Sequence, residues 1–136
     1  MAWMTSFRDL DVWKKAHDLV LDIYQVTERF PDREKYGIVA QLRRSSASVP
    51  ANIAEGFGRP TTGEFLQSLG VSNGSLEETR YFLIVSFDLG LLQQNDYERL
   101  EGKCSVIAQM LGALRRSLRA KSKRCHGTQS TGHGTP

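Results

Sequence analysis

The residue types that carry out chemistry are sparse in this sequence. Its histidines are His17, His126 and His133, and its cysteines are Cys104 and Cys125. His17 sits among charged residues, with no second His, Cys or carboxylate at a metal-ligand spacing, so it reads as a surface histidine. Cys125, His126 and His133 could take up a stray metal ion, but a polar tail gives them no fixed geometry. Glu77 and Glu78 are adjacent, and adjacent helical positions point in different directions, so they do not make an acid–base pair. There is no phosphate-cradling glycine loop, no nucleophile elbow and no Glu-x-x-His pair of the di-iron bundles. The expectation is a protein without catalytic residues, metal or cofactor, which works by binding.

Two stretches could carry binding. The first is Gln41 to Arg59, QLRRSSASVPANIAEGFGR, where Arg43, Arg44, Asn52, Glu55 and Arg59 are mixed with an apolar stripe. Asn52 and Glu55 are three apart on one helix face, and Arg59 is four beyond Glu55, within reach of an ion pair. These five residues are expected to form a structural network within or between bundles. The alternative is a ligand or phosphate site. The second stretch holds Arg115, Arg116, Arg119, Lys121, Lys123 and Arg124. Residues 1–114 carry twelve Lys/Arg against fifteen Asp/Glu, net −3, while residues 115–136 carry six cations and no acid, net +6. This asymmetry points to an anionic partner, with nucleic acid first and phosphate contacts as the mode. The plain alternative is a basic helix end that suits its own macrodipole and solubility. No aromatic residues interleave with these cations, so sequence-specific reading of a single strand is not indicated.

Four helices must position these residues. The first is predicted over 10–30, with Trp13, Ala16, Val20, Ile23, Tyr24, Thr27 and Phe30 as its stripe and Pro31 as its stop. The second runs over 33–58 on Ile38, Leu42, Val49, Ile53 and Phe57, with a bend near Ser46–Pro50 because an internal proline removes a hydrogen bond. The third runs over 62–89 from a Thr61 or Thr62 cap, on Phe65, Leu69, Leu76, Leu83 and Phe87. Gly70 and Gly74 share a face of it where another backbone is expected to approach, and Gly90 stops it. The fourth runs over 96–120 on the seam Tyr97, Leu100, Cys104, Ile107, Leu111, Leu114 and Leu118. No segment reads as strand. The expected fold is all-α, an antiparallel up-down-up-down four-helix bundle. The division is an N-terminal segment 1–8, a bundle 9–121 and a disordered tail 122–136.

Length and composition agree. A chain of 136 residues with 40% apolar and 24% charged residues suits one folded domain. No apolar run nears the ~20 residues needed to span a bilayer, and Met1–Ser6 does not look like a secretory signal. No membrane association is expected, the cysteines read as free thiols, and the expected location is the cytoplasm.

Several motifs in order resemble a known family. They are FRDLDVWKKAHDLVLDIY (7–24), FPDREKYG (30–37), QLRRSSASVPANIAEGFGR (41–59) and GSLEET (74–79). Together they resemble the bacterial four-helix-bundle proteins encoded inside intervening sequences of large-subunit ribosomal RNA genes, over about Phe7 to Leu118. Ser45 and Ser46, where alanine is common, and Arg80 are departures. The resemblance implies an antiparallel bundle assembled as a homopentameric ring. It also implies relatedness to the accessory variability determinant of diversity-generating retroelements, a basic pentameric bundle whose partners are nucleic acid and a reverse transcriptase. It supplies no catalytic residues. The expected function is a non-catalytic, oligomeric nucleic-acid-binding module. The alternative is a protein-interaction scaffold with no nucleic-acid role.

Overall fold

A heptad run of small and aliphatic residues opens the chain's first long helix. In the computed structural model, residues 4–133 are described, with side chains for 4–123. A 3-10 turn at Phe7–Asp9 leads in, closed by a reciprocal cap. The Ser6 hydroxyl accepts from the Arg8 amide, and the Asp9 carboxylate accepts from the amides of Thr5 and Ser6. Helix α1 then spans Asp11–Thr27 and buries Val12, Ala16, Leu19, Ile23 and Val26. The buried line shares Ala16, Ile23 and Thr27 with the predicted stripe, and Phe30 just beyond the helix is buried as well, while Val12, Leu19 and Val26 complete it. Tyr24 is exposed and Val20 only half-buried. With apolar residues at 19, 20, 21 and 23, several overlapping stripes fit the period, and packing selects one.

Helix α2 spans Ile38–Phe57, five residues later than its predicted start. Pro31 and Gly37 bracket that gap, which folds as a 3-10 turn at Asp32–Glu34 with Gly37 as the N-cap of α2. The helix continues unbroken through the buried Pro50. Helix α3 spans Thr62–Asp88, capped by the Thr61 hydroxyl, which accepts from the Glu64 amide at 3.2 Å. It ends at Gly90, whose φ of +75° is the left-handed turn expected of a glycine stop. The amides of Leu91 and Leu92 both return to the Ser86 carbonyl. Helix α4 spans Gln94–His133, thirteen residues past its predicted end at 120, and buries Leu100, Cys104, Ile107, Leu111 and Leu118 of the predicted seam, with Tyr97 and Leu114 half-buried. From residue 124 onward, the tail expected at 122–136 lies outside the residues with described side chains.

Helix α1 packs on α2 and α4, and α3 packs on the same two, so α1 and α3 sit diagonally across a four-helix bundle. Among the described residues there is no strand. The α2–α3 contact is built on small polar residues. Ser45 meets Thr79 at 2.8 Å, Ser48 meets Ser75 at 2.8 Å, and the Ser72 hydroxyl donates to the Val49 carbonyl at 2.7 Å. The close approach of helices falls here, and not at Gly70 and Gly74. A Cβ on Gly74 would meet nothing within 4 Å, and one on Gly70 only the Arg115 guanidinium at 4.0 Å. A Cβ on Gly56 would sit 2.7 Å from the Ser68 Cβ and 2.8 Å from the Phe65 ring.

Candidate nucleic-acid interface

The five residues expected to form one network on α2 are distributed to three places. Arg43 turns towards α1. Its guanidinium donates to the Thr27 hydroxyl at 3.0 Å, the Tyr24 carbonyl at 3.3 Å and Glu28 at 3.1 Å, and it stacks 4.4 Å from the Tyr24 ring centre. Arg44 turns towards α3 and pairs with Glu78, braced by Gln41. Asn52 donates to the Ser48 carbonyl and hydroxyl, joining the α2–α3 seam. Glu55 and Arg59 form an exposed pair at 2.5 Å on one turn. They share a polar groove with Asn52, Glu64 and Gln67. Arg43 and Arg44 therefore tie α2 to its two neighbours and are consumed in doing so.

Two polar constellations carried a weaker signal in the sequence. The small-residue seam is visible only afterwards, as Ser68, Ser72, Ser75, Thr79 and Ser86 at helical spacing on α3. The other is an ion cluster joining α1 to α4. Arg99 donates to both Asp22 oxygens, at 3.0 and 2.9 Å, and to Asp96 at 2.6 Å. Lys103 bridges Asp18 at 2.8 Å and Asp22 at 2.9 Å, and Arg29 reaches Asp96 at 3.3 Å. The Arg99 hydrogen bonds hold the Asp22 carboxyl below the usual carboxylate range, against the opposing effect of its partial burial, with Lys103 helping.

The other reactive residues are accounted for structurally. His17 is exposed and stacks on Trp13, with ring centres 5.1 Å apart and planes within 8°. Cys104 is fully buried, and burial pushes its thiol up to about 12, so it stays protonated. Among the described residues, no three His, Cys, Asp or Glu side chains gather as a metal site. The side chains of Cys125, His126 and His133 lie outside the description.

The basic end of α4 differs from the rest of the surface. All seven arginines from Arg29 to Arg99 pair with carboxylates. Among the described residues, none of Arg115, Arg116, Arg119, Lys121 and Lys123 has an acidic partner. The Arg124 side chain lies outside the description. Arg115 is half-buried; its guanidinium lies over Gly70 of α3, and its Nε is shut off from solvent with no acceptor. Arg116 lies against Gly112, 3.3 Å from where a Cβ would be. Arg116, Arg119 and Lys123 rim a groove of about 610 Å³ whose other walls are Leu66, Ala120 and Ser122. The row is a set of cations on one helix with no acidic partner among the described residues, which suits phosphate contacts.

No helix among the described residues is long and apolar enough to cross a membrane. No curated protein matches the chain. A solved structure similar to it is a protein of unknown function from the S23 ribosomal protein family of Bacteroides thetaiotaomicron. That protein is 21% identical, aligns with 77% of this chain and 95% of its own, and has a TM-score of 0.73, a likeness of fold. The sequence itself matches the description "23S rRNA-intervening sequence protein" over residues 8–113, and the chain belongs to that family.

Proposed function

We propose that this chain is a non-catalytic, oligomeric module that binds the backbone of nucleic acid through the end of α4. The observation that carries the reading is the row Arg115, Arg116, Arg119, Lys121 and Lys123, five cations without an acidic partner among the described residues, beside arginines that are otherwise all paired from Arg29 to Arg99. Arg124 extends the row in sequence. In this reading the bundle is antiparallel, up-down-up-down. The pairs Ser45–Thr79 and Ser48–Ser75, and Asp18–Lys103 and Asp22–Arg99, support that topology, since one partner's number rises as the other's falls. The chains assemble as a homopentameric ring in the cytoplasm. A reverse transcriptase of a diversity-generating retroelement is the protein partner that the family resemblance suggests.

The second reading is a protein-interaction scaffold. It is favoured by exposed apolar residues on α3, with Tyr81 61% and Ile84 43% exposed, and by Leu89 beside them at 64%.

The test is a salt-titrated binding assay on structured RNA and duplex DNA, with the mass of the assembly measured on the same sample. Binding that falls steeply with salt supports the module. Changing Arg115, Arg116 and Arg119 together to Gln is expected to lower affinity at least roughly tenfold and to flatten the salt slope by about 2–3, with the mass unchanged. Absence of binding at low salt leaves the scaffold reading.

A further inference from the structure

The groove at the end of α4 is more than a row of charges. Its cations stand on one rim: Arg116, Arg119 and Lys123 recur at steps of three and four, so they share a helix face over about 10 Å of axis. Its walls include Leu66 from the second turn of α3 and Ala120 from α4, and its surface is mostly apolar. Outside the groove's lining, the Arg115 guanidinium lies over Gly70, one turn beyond Leu66 on α3. A duplex offers phosphate and sugar on its outside and polar base edges within its grooves, with its apolar base faces stacked away. Such a partner would touch the rim and leave the apolar wall empty. An unpaired strand offers both chemistries, an anionic backbone and exposed base faces.

Resting on the nucleic-acid reading above, we infer that this groove takes an unpaired, single-stranded segment. Its phosphates lie along Arg116, Arg119 and Lys123, and a base and sugar lie against Leu66 and Ala120. Among the described residues no aromatic ring lines the groove, so a base is covered there without its edge being read, and binding tolerates sequence.

The experiment uses the full chain and labelled oligonucleotides of about 12 residues, a length within common site sizes. Unstructured single-stranded RNA and DNA are compared with duplexes of the same length by fluorescence anisotropy across a salt series. The single strands are expected to bind roughly tenfold tighter than the duplexes. Leu66→Gln and Ala120→Gln are each expected to weaken single-strand binding roughly fivefold and to leave duplex binding and the salt slope unchanged, because each replaces apolar wall without removing charge. Circular dichroism checks the fold, and if Leu66→Gln unfolds, Ala120→Gln alone decides, since Ala120 is exposed. Duplexes that bind as tightly as single strands, or wall variants that leave single-strand binding intact, overturn the groove and leave the backbone-binding module standing. No binding of either form at low salt overturns both.

Discussion

Two glycines show how little of a residue's role is visible in its type. Gly56 and Gly74 are both helical, yet a Cβ on Gly56 would overlap Ser68 and Phe65 while one on Gly74 would meet nothing within 4 Å. Gly56→Ala therefore overfills the α2–α3 contact and is expected to cost ~1–3 kcal/mol. Gly74→Ala removes a helix-weakening residue and is expected to gain up to ~1 kcal/mol. Thermal melts of the two variants should move in opposite directions, and equal shifts would refute this assignment. The four-residue spacing of Gly70 and Gly74 suggests two backbones in contact there. Spacing reports a shared face, but not which face is turned inward. Nothing in the sequence of α2 itself marks Gly56 as required, since the ring and the hydroxyl-bearing residue that exclude a side chain there, Phe65 and Ser68, come from another helix. The same limit applies to the basic row. Its charge was plain in the sequence, whereas the apolar wall that shapes its groove comes from Leu66, about fifty residues away along the chain.

Helices differ in how far their own sequence fixes their orientation. The seam of α4 keeps its heptad step, and Leu100, Cys104, Ile107, Leu111 and Leu118 are buried as its period predicts, with Tyr97 and Leu114 half-buried and the off-seam Val106 exposed. Helix α1 has apolar residues on more than one line, so its true face is set by α2 and α4. The ends of α3 were legible because Thr61 and Gly90 act locally, while the start of α2 depended on a turn between Pro31 and Gly37 that the helical pattern did not reveal. Charge then locks α1 to α4 through Asp22, whose side chain is only 11% exposed and whose carboxyl is held low by Arg99. A carboxyl whose pKa is lower in the folded state stabilises fully above its unfolded value, about 3.9. That stabilisation is lost as pH falls through the folded value. Asp22→Asn is expected to destabilise the protein by ~1–3 kcal/mol at pH 7, tempered by the partial exposure of Arg99. The gap between variant and wild type should close as both are melted in increasingly acidic buffer, below pH 4. A gap that persists at the lowest pH would mean that packing, and not the ion pair, is what Asn disturbs.

Across the whole molecule, charge and apolar surface are segregated. The cations without partners gather where α4 passes the start of α3. Most exposed large apolar side chains lie toward the other end, where the α1–α2 and α3–α4 turns line a common pocket: Leu21, Tyr24, Tyr36, Tyr81, Ile84, Phe87 and Leu89. They also fall on different sides, since Leu21 and Tyr24 belong to α1 and Tyr81 and Ile84 to its diagonal partner α3. A chain with two distinct apolar faces suits a heterologous contact, in which the α1 face of one copy meets the α3 face of the next and rotation closes a ring. Such a ring would present its basic ends together and multiply weak phosphate contacts by avidity. The arrangement has a signature that a symmetric pair contact lacks. Leu21→Glu spoils only the α1 face and Tyr81→Glu only the α3 face, at side chains 54% and 61% exposed, so neither should disturb the fold. Each variant alone is expected to be monomeric and to bind nucleic acid roughly a hundredfold more weakly than the assembly. Mixed together, they retain one intact pair of faces, the α1 face of the Tyr81→Glu chain against the α3 face of the Leu21→Glu chain, and should form a heterodimer that grows no further. Native mass measurement of the mixture decides the matter: a dimer of unlike chains establishes the heterologous contact. A mixture that stays monomeric, or variants that still form the full assembly, places the interface elsewhere on the bundle.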